Sequence, residues 1–366
     1  MKIRIDRAEL LTELAPMQGV VERKSTIPVL SHLLLRAKDD RLHLAATDLD
    51  VSLTSWCSAE VAQEGALAVQ ARKFLEIVRA MADETVELTL EDETALRLVC
   101  GKSRFKIHGL APDDFPSLPH VEGDGAIELP YADLRRMIAK VFFAVSAEES
   151  RFQLNGALLK PKPGAIELVA TDGHRLALVE SEQSGSGGEV EGVLVPRKAL
   201  QELQRFEGAE AVTFRRGEHH LSFRVGRREL ICRILEGAFP DYDKVISKDN
   251  DRTAVFDRQK LSEVVHRVAL LTGDRARAVR LHFEEGELTV SAANPDLGEA
   301  TETLECEYSG PEMELGINPD YLGHFLGAAE TEKVSFDLKD ANSQCIGRPV
   351  EGNDARYLCV IMPMRL

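Results

Sequence analysis

The residues best suited to chemistry lie in the segment "ATDGHR", residues 170–175, which places Asp172, His174 and Arg175 close together. A carboxylate, an imidazole and a guanidinium in one turn form a set that acid-base or phosphoryl-transfer catalysis can use. Two similar segments elsewhere in the chain, "ATDLDV" and "AANPDL", keep only the Asp or Asn. Because Asp and Asn side chains close turns by bonding nearby backbone N–H groups, the shared residue predicts an Asx-type turn.

The other candidate motifs are incomplete. "GKS" at Gly101 to Ser103 would need a glycine at position 96 to be a P-loop, and that residue is Leu96. His219 and His220 lie in the polar stretch "RRGEHHL", which predicts a solvated hairpin tip. The six cysteines are scattered without a C-x-x-C pair, so we expect reduced thiols and no metal. The sequence therefore predicts no catalytic residues, no metal site and no cofactor.

Composition and charge limit the class of protein. The chain has 366 residues, of which 44% are hydrophobic, and this suits two or three soluble domains, each with its own core. No apolar run reaches the length of a membrane span, and the alternating start "MKIRI" favours a strand over a signal peptide. We therefore expect a cytoplasmic protein without membrane contact. The net charge of −16 opposes binding to nucleic acid unless positive charge is concentrated locally.

An internal repeat organises the chain. Leu10, Leu134 and Leu261 follow a strand at the same place in three predicted helices, at intervals of about 124 residues. The Asx-turn segments recur at a similar interval, as do second helices that begin in "VQARKFLEIV", "VPRKALQEL" and "INPDYLGHFL". The repeats end at Phe115-Pro116, Phe239-Pro240 and Met362-Pro363. Four landmarks in one register predict three copies of one domain.

Polar, turn-rich stretches separate the repeats and give domains at 1–122, 126–247 and 252–366. Within each domain, the order strand, helix and several strands occurs twice. We therefore predict an α+β fold, in which two helices per domain pack on antiparallel sheets.

Positive charge concentrates on the six predicted helices, which are residues 7–18, 72–81, 132–146, 197–206, 258–271 and 319–329. They carry 13 lysines and arginines against 7 aspartates and glutamates, whereas the chain as a whole is acidic. If the helices share a face, that face attracts a polyanion. The helices lack aromatic residues in a base-stacking pattern and any helix-turn-helix or zinc-finger spacing, so we expect contacts to phosphate that ignore base sequence.

The chain resembles the β sliding clamp of bacterial DNA polymerase III. The resemblance rests on the three repeats together with "TIPVLSHLLL" (26–35), "ATDGHRLAL" (170–178), "VPRKAL" (195–200), "FPDY" (239–242) and the terminal "VIMPMRL" (360–366), and it extends from Met1 to Leu366. It implies three clamp-type domains that form half of a closed ring. Two subunits would close head to tail, with the helices lining the hole and the sheets outside.

The resemblance also implies three sets of site residues. The DNA-facing set is Lys24, Arg72, Lys73, Arg79, Arg136, Lys140, Arg197, Lys198 and Arg205. The cleft that binds client peptides would comprise Arg151, Leu154, Thr171, Gly173, His174, Arg175, Leu176, Pro240, Lys244, Val245, Ser343, Val360, Met362, Pro363, Met364, Arg365 and Leu366. The dimer interface would contain Phe105, Ile107, Leu270, Leu271, Glu299 and Glu302, with the two glutamates facing the region of Lys73 and Arg104.

Two cleft positions depart from the family pattern. Lys244 stands where an arginine is common, which removes a planar donor. Gln153 stands where an aromatic residue often follows the cleft arginine, Arg151, by two positions. Both changes affect which peptides we expect the cleft to prefer.

The implied function is that of a non-catalytic clamp. A homodimeric ring would encircle double-stranded DNA and confer processivity by tethering the DNA polymerase III α subunit, other polymerases and repair proteins. A separate clamp loader complex would place it on DNA. Two alternatives stay open at this point, a DNA-modifying or phosphoryl-transfer enzyme that uses Asp172, His174 and Arg175, and a monomeric peptide-binding scaffold unconnected to DNA.

Overall fold

Residues 1–22, 26–122, 126–182, 191–273, 277–352, 354 and 356–365 are described by a computed structural model. They belong to two units, of which the first comprises Met1–Arg135 with Lys198–Ile234 and the second Arg136–Arg197 with Leu235–Leu366. The central repeat thus contributes most of its second half to the first unit and most of its first half to the second.

Most of the regular structure is antiparallel strand. In chain order the strands are β1 (Lys2–Asp6), β2 (His32–Lys38), β3 (Arg41–Thr47), β4 (Val51–Ser58), β5 (Glu60–Gln63), β6 (Gly65–Gln70), β7 (Thr85–Asp92), β8 (Ala95–Cys100), β9 (Ser103–Leu110), β10 (Ile127–Pro130), β11 (Gly156–Lys162), β12 (Ala165–Thr171), β13 (Arg175–Glu182), β14 (Val193–Pro196), β15 (Ala211–Arg216), β16 (His220–Val225), β17 (Arg228–Arg233), β18 (Arg252–Asp257), β19 (Val279–Glu284), β20 (Glu287–Asn294), β21 (Gly298–Glu305), β22 (Met313–Ile317), β23 (Lys333–Leu338), β24 (Cys345–Pro349) and β25 (Arg356–Ile361).

The helices occur where the sequence predicts them. They are α1 (Arg7–Val20), α2 (Ala71–Ala80), α3 (Tyr131–Val141), α4 (Arg197–Leu203), α5 (Tyr242–Val245), α6 (Arg258–Ala269) and α7 (Pro319–Ala328). The six predicted helices are confirmed, with ends that shift by up to a few residues. The single-turn helix α5 was not predicted. Short 3₁₀ helices lie at Pro28–Ser31, Pro112–Asp114, Phe142–Ala144 and Glu149–Leu154.

Equivalent helices of the first and third repeats begin in the same way. The side chain of Asp6 accepts a hydrogen bond of 2.8 Å from the N–H of Glu9, and Asp257 accepts one of 2.9 Å from the N–H of Lys260. Such N-caps satisfy backbone donors that the first helical turn leaves free. The shared "D-R" junction between strand and helix is therefore a physical signal of the repeat.

The first unit contains one sheet of thirteen strands in the order β10-β15-β16-β17-β4-β3-β2-β6-β9-β8-β7-β1-β5. Strands β17 and β4 pair from Glu229–Thr54 to Cys232–Val51, and this contact joins the central repeat to the first. Helix α1 packs on β3 and β4 and also contacts α2. A buried ion pair fixes it there, because Glu13 on α1 accepts hydrogen bonds of 2.8 and 3.0 Å from Arg228 on β17.

The second unit contains a sheet of eight strands, β14-β11-β12-β13-β25-β24-β23-β18, and one of four, β21-β20-β19-β22. Here β13 pairs with the last strand, β25, from Arg175–Ile361 to Glu180–Arg356. Helices α6 and α7 pack against each other, and α6 also covers β20 and β21. The prediction of repeated domains with helices on antiparallel sheets is confirmed.

Candidate functional site

The "ATDGHR" segment is a turn between β12 and β13 that its own side chains hold closed. Asp172 Oδ1 accepts hydrogen bonds from the N–H groups of His174 and Arg175 at 2.9 and 3.0 Å. Thr171 Oγ1 donates to the carbonyl of Arg175 at 2.7 Å and accepts from the N–H of Gly173 at 3.1 Å. Gly173 has φ +88°, which a residue with a Cβ rarely adopts. The predicted Asx-type turn is confirmed.

Arg175 is a structural residue rather than an exposed one. Its guanidinium donates to Asp172 Oδ2 at 3.0 Å, to the carbonyl of Phe143 and to His324 Nδ1 at 2.7 Å. It also lies 4.3 Å from the ring centroid of Tyr321. Burial, and then the positive charge of Arg175, lower the pKa of His324, which suits a neutral ring that accepts this bond. The Arg175 side chain therefore supports the cleft from inside and is not a free donor for a ligand.

An apolar cluster lies next to this turn. It comprises the buried residues Val169, Leu176, Leu178, Tyr242, Ile246, Ile346, Leu358 and Val360, with Leu158 and Phe239 packed against it. The cluster draws on β12, β13, β24, β25 and the segment around α5, so residues from the central and third repeats meet in it. Two predicted cleft residues, Leu176 and Val360, belong to this floor.

A buried polar network supports the floor and was not predicted. The hydroxyl of Tyr242 donates to Glu167, whose side chain is almost fully buried. Lys162 Nζ bridges Glu167 and Glu180 at 2.7 and 2.8 Å. Burial and the adjacent carboxylate raise the pKa of Tyr242, so its hydroxyl stays protonated. "FPDY" marks a repeat end in the sequence, but nothing there pairs its tyrosine with a glutamate on β12.

One side of the predicted cleft comprises α5 and the residues beside it. Pro240, Lys244 and Val245 are all exposed. Lys244 forms an ion pair of 2.7 Å with Asp241, and this hydrogen bond raises the pKa of Lys244. The Val245 carbonyl accepts a hydrogen bond of 2.7 Å from Gln344, next to the predicted cleft residue Ser343. The lysine is thus held beside the rim by its own neighbour.

A second side of the predicted cleft comprises the 3₁₀ segment Glu149–Leu154, which comes after α3 in the chain. Arg151 interrupts the 3₁₀ segment Glu149–Leu154 with φ −120° and ψ 58°, and its side chain reaches the Asp172 carbonyl at 3.5 Å. Leu154 is buried. Phe152 is 56% exposed and was not predicted. Where the family often has an aromatic residue this chain has Gln153, but the residue before it, Phe152, supplies an exposed aromatic ring.

The C-terminal tail runs along the same region. The N–H of Met362 donates to the carbonyl of His174 at 2.9 Å, and the N–H of Met364 donates to the carbonyl of Gly316 at 2.9 Å. Pro363, which has no N–H, lies between these two anchors. The Met362 side chain is 42% exposed, Pro363 and Met364 are partly buried, and Arg365 is exposed. Leu366, which was also predicted for the cleft, lies outside the described residues.

The described DNA-facing residues predicted for the first unit lie on α2, on α4 and in the turn after α4. Arg72 and Lys73 are exposed and pair with Glu76 at 2.9 and 2.6 Å, whereas Arg79 is exposed on the same helix. Lys198 donates to the carbonyl of Val20 at 2.6 Å and pairs with Asp48. Arg205 pairs with Glu202 at 2.7 Å. Lys24 lies outside the described part of the chain.

The DNA-facing residues predicted for the second unit are less exposed. Lys140 is buried, and its ammonium pairs with Asp354 and, at 3.0 Å, with Glu330. Arg136 lies 3.4 Å from Asp354, and Arg197 donates to the Val145 carbonyl at 2.7 Å. A buried ammonium with two carboxylate partners is not a surface cation, so we remove Lys140 from the DNA-facing set. Its partners lie about 200 residues away in the chain, so the resemblance that placed Lys140 in this set gave no sign of them.

The predicted interface residues lie at sheet edges. β9 pairs with β8 from Ser103 to His108 and with β6 at Gly109 and Leu110, so within the described residues its other edge from Ser103 to His108 has no strand partner. Phe105 is exposed on it and Ile107 is partly buried. In the described part of the second unit, β21 pairs with β20 and lies at the edge of its sheet. It carries the exposed Glu299 and also Glu302, which forms a 2.8 Å ion pair with Arg267 of α6.

The apolar residues of the second unit that were predicted for the interface directly follow α6. Leu270 is 68% exposed and Leu271 is partly buried.

Within the described residues, no helix is long and apolar enough to cross a membrane. The six cysteines are free, as predicted.

Comparisons with known proteins agree along the whole chain. Residues 1–119, 128–241 and 243–365 match the N-terminal, central and C-terminal domains of the DNA polymerase III beta subunit family. The beta sliding clamps of Pseudomonas aeruginosa and Caulobacter vibrioides are 36% and 35% identical, over 100% of both chains. The crystal structure of the Pseudomonas aeruginosa DNA polymerase III subunit beta superposes with a TM-score of 0.95 at 35% identity, again over 100% of each chain.

Proposed function

Because the chain belongs to the DNA polymerase III beta subunit family, we propose that it is a DNA sliding clamp of the bacterial replicase. The family is one of non-catalytic processivity factors, so the chain is not an enzyme. The observation that carries the proposal is the end-to-end match of all three repeats to the three family domains. The turn geometry agrees with it, because the carboxylate of Asp172 is used within its own turn.

We propose that the ring consists of two copies that close head to tail. The open edge of β9 in one copy would pair with β21 of the other, and each subunit has both edges. Unpaired edge strands invite such pairing, and a heterologous contact forms a ring when its rotation closes. Phe105 and Leu270 are exposed apolar side chains in these two regions and would become buried in the contact. Glu302 already pairs with Arg267, so Glu299 is the better candidate for a new ion pair across the interface.

We propose that DNA passes along the surface formed by the basic helices. Arg72, Lys73 and Arg79 on α2 and Arg205 just after α4 are exposed cations. Arg72, Lys73 and Arg205 each pair with a glutamate three or four residues away, which weakens their attraction to phosphate. Weak and sequence-blind attraction allows sliding, whereas base-specific contacts would stop the protein at particular sites.

We propose that clients dock in the cleft between the "ATDGHR" turn, α5 and the tail. Its floor is apolar, Met362 and Phe152 are exposed at its rim, and the Arg175 side chain fixes the turn from inside. Flexible methionines let one surface accept different peptides. The clients would include the DNA polymerase III α subunit and other polymerases, and a clamp loader would act from outside the ring, in the cytoplasm.

A processivity assay tests the proposed function. A DNA polymerase III core with its loader should extend a primed single-stranded circle to long products only when this protein is added. Product lengths on a denaturing gel give the result. Short products with and without the protein would contradict the proposal.

A further inference from the structure

A pocket of about 460 Å³ lies on the sheet of the first unit, and none of its lining residues belongs to the predicted cleft or to the basic helices. It is lined by residues of β2, β3 and β4 and by the β16–β17 hairpin. On β3 and β4, the residues that face α1 are Leu42, Leu44, Leu53, Ser55 and Cys57, which are all buried. The alternate residues Arg41, His43, Thr54 and Trp56 point to the opposite face, where the pocket is.

The charge of this pocket is opposite to that of the chain. Its lining contains Arg36, Arg224 and Arg227 against one carboxylate, Glu229, in a protein with a net charge of −16. Glu229 already pairs with Arg224 at 3.2 Å and accepts from Ser222 at 2.6 Å. Within the described residues, Arg36 has no carboxylate at ion-pair distance. The pocket therefore keeps unneutralised positive charge.

The indole ring of Trp56 lies against two arginine guanidinium groups. The guanidinium carbon of Arg41, from β3, lies 3.9 Å from the centroid of its ring, and that of Arg227, from the hairpin on the other side of β4, lies 4.7 Å away. Arg41 also has no carboxylate partner in the described chain, whereas Arg227 pairs with Glu9. Stacking on the indole holds the guanidiniums in fixed directions, which lowers the entropy that an anion must remove on binding.

The pKa of the neighbouring His43 is affected by the same arginines. His43 lies opposite Trp56 in the β3–β4 ladder and opposite Arg36 in the β2–β3 ladder. Burial lowers the pKa of His43, and the charges of Arg41, Arg36 and Lys38 lower it further, with Asp39 opposing them. The lowered pKa of His43 is consistent with the excess of positive charge that the lining residues show.

We propose that this pocket is a second docking site, which binds an acidic segment of a partner protein through its carboxylates. Guanidinium groups bind carboxylates with paired, charge-assisted hydrogen bonds. The pairs Glu229–Arg224 and Glu9–Arg227 already use this chemistry at its border. A nucleic acid fits less well, because two guanidiniums lie against the indole ring on which a base would stack. The pocket shares no lining residue with the predicted client cleft.

The test uses a fluorescein-labelled hexaglutamate peptide and the full-length protein. Trp56 is the only tryptophan in the chain, so its emission reports on the pocket while peptide anisotropy reports on binding. We expect saturable, salt-sensitive binding with a change in Trp56 emission, and no binding of a hexaglutamine peptide. The double variant Arg36→Gln/Arg41→Gln should weaken binding about tenfold, as expected for the loss of two charge-assisted contacts.

The matched control is Arg97→Gln/Arg280→Gln, which removes the same charge from exposed arginines on β8 and β19. Its affinity for hexaglutamate should stay within about twofold of the parent protein. An equal loss of hexaglutamate affinity in the two double variants would show that the peptide binds through the overall charge of the protein. That result would overturn the proposed site. Equal binding of hexaglutamine, an unchanged Trp56 emission, or tighter binding of an oligothymidylate than of the peptide would also overturn it.

Discussion

The N–H of Met362 donates a hydrogen bond of 2.9 Å to the carbonyl of His174. It joins the C-terminal tail directly to the "ATDGHR" turn, about 190 residues earlier in the chain. The only other backbone anchor found for the described tail residues is the bond from Met364 to Gly316. The tail therefore forms a wall of the proposed cleft while contributing few contacts to the core.

Deletion of Met362 to Leu366 should abolish client binding and leave the fold and the dimer intact. Each apolar side chain that a peptide buries against this wall contributes ~1.5–3 kcal/mol. The measurement is a titration of a client polymerase peptide, with melting temperature and sedimentation recorded alongside. Unchanged affinity, or a truncated protein that is unfolded or monomeric, would show that the tail is structural.

Substitution Tyr242→Phe should weaken peptide binding and lower stability. It removes the hydroxyl that donates to buried Glu167, and an unsatisfied buried acceptor costs ~1–3 kcal/mol. The α5 rim would then lose its anchor to β12. We expect a several-fold rise in the Kd for a client peptide, measured by calorimetry.

The control is Tyr308→Phe, because the Tyr308 hydroxyl donates to the Pro311 carbonyl at 2.7 Å, outside the cleft cluster. Tyr308→Phe should lower stability without changing the peptide Kd. An equal change in Kd for both variants would remove Tyr242 from the support of the cleft.

Substitution Leu270→Glu should produce a folded monomer. The side chain is 68% exposed in one chain, so the fold tolerates a charge there, whereas an apolar interface does not. Leu49→Glu is the matched control, because Leu49 is 54% exposed and lies between β3 and β4, outside the two strands of the proposed contact. Sedimentation velocity at micromolar concentration distinguishes the two. A dimeric Leu270→Glu protein would contradict the proposed contact.

Substitution Glu202→Gln should raise the free energy of unfolding at pH 8. The Glu202 carboxylate is buried against Gly19, and burial raises its pKa above the ordinary glutamate value although Arg205 opposes the shift. A raised folded-state pKa favours the fold at low pH, and this contribution is lost as pH rises through that pKa. Glutamine removes the loss, so its advantage should shrink between pH 8 and pH 5.

Urea denaturation at the two pH values measures this difference. Glu207→Gln serves as the control, since Glu207 is exposed on the segment after α4. A stability difference between Glu202→Gln and the parent protein that does not depend on pH would contradict the assignment.

The repeated fold was predictable because its signals are local. Capping residues such as Asp6 and Asp257, the alternating strands and the Asx turn at Asp172 are each encoded within a few residues. Leu176 and Val360, two residues predicted for the cleft, lie together in one apolar cluster, and their role in binding stays a prediction.

The features that were missed depend on contacts between distant segments. Lys140 looks like a surface cation on α3 until Asp354 and Glu330 are brought to it by the fold. The bond from Tyr242 to Glu167 likewise joins residues on different elements. The sequence shows that an aromatic residue, Phe152, directly follows the cleft residue Arg151. It does not show that the ring is exposed, because that depends on the interruption of the 3₁₀ segment at Arg151.

The most direct test of the central claim is retention on DNA of defined topology. The protein is loaded by its clamp loader onto a nicked circular plasmid, the complex is isolated by gel filtration, and half of it is cut once with a restriction enzyme. A ring that encircles DNA should stay with the circle and leave the linear molecule within minutes, at salt concentrations that abolish binding to a short duplex. Equal retention on circular and linear DNA would contradict the sliding clamp account.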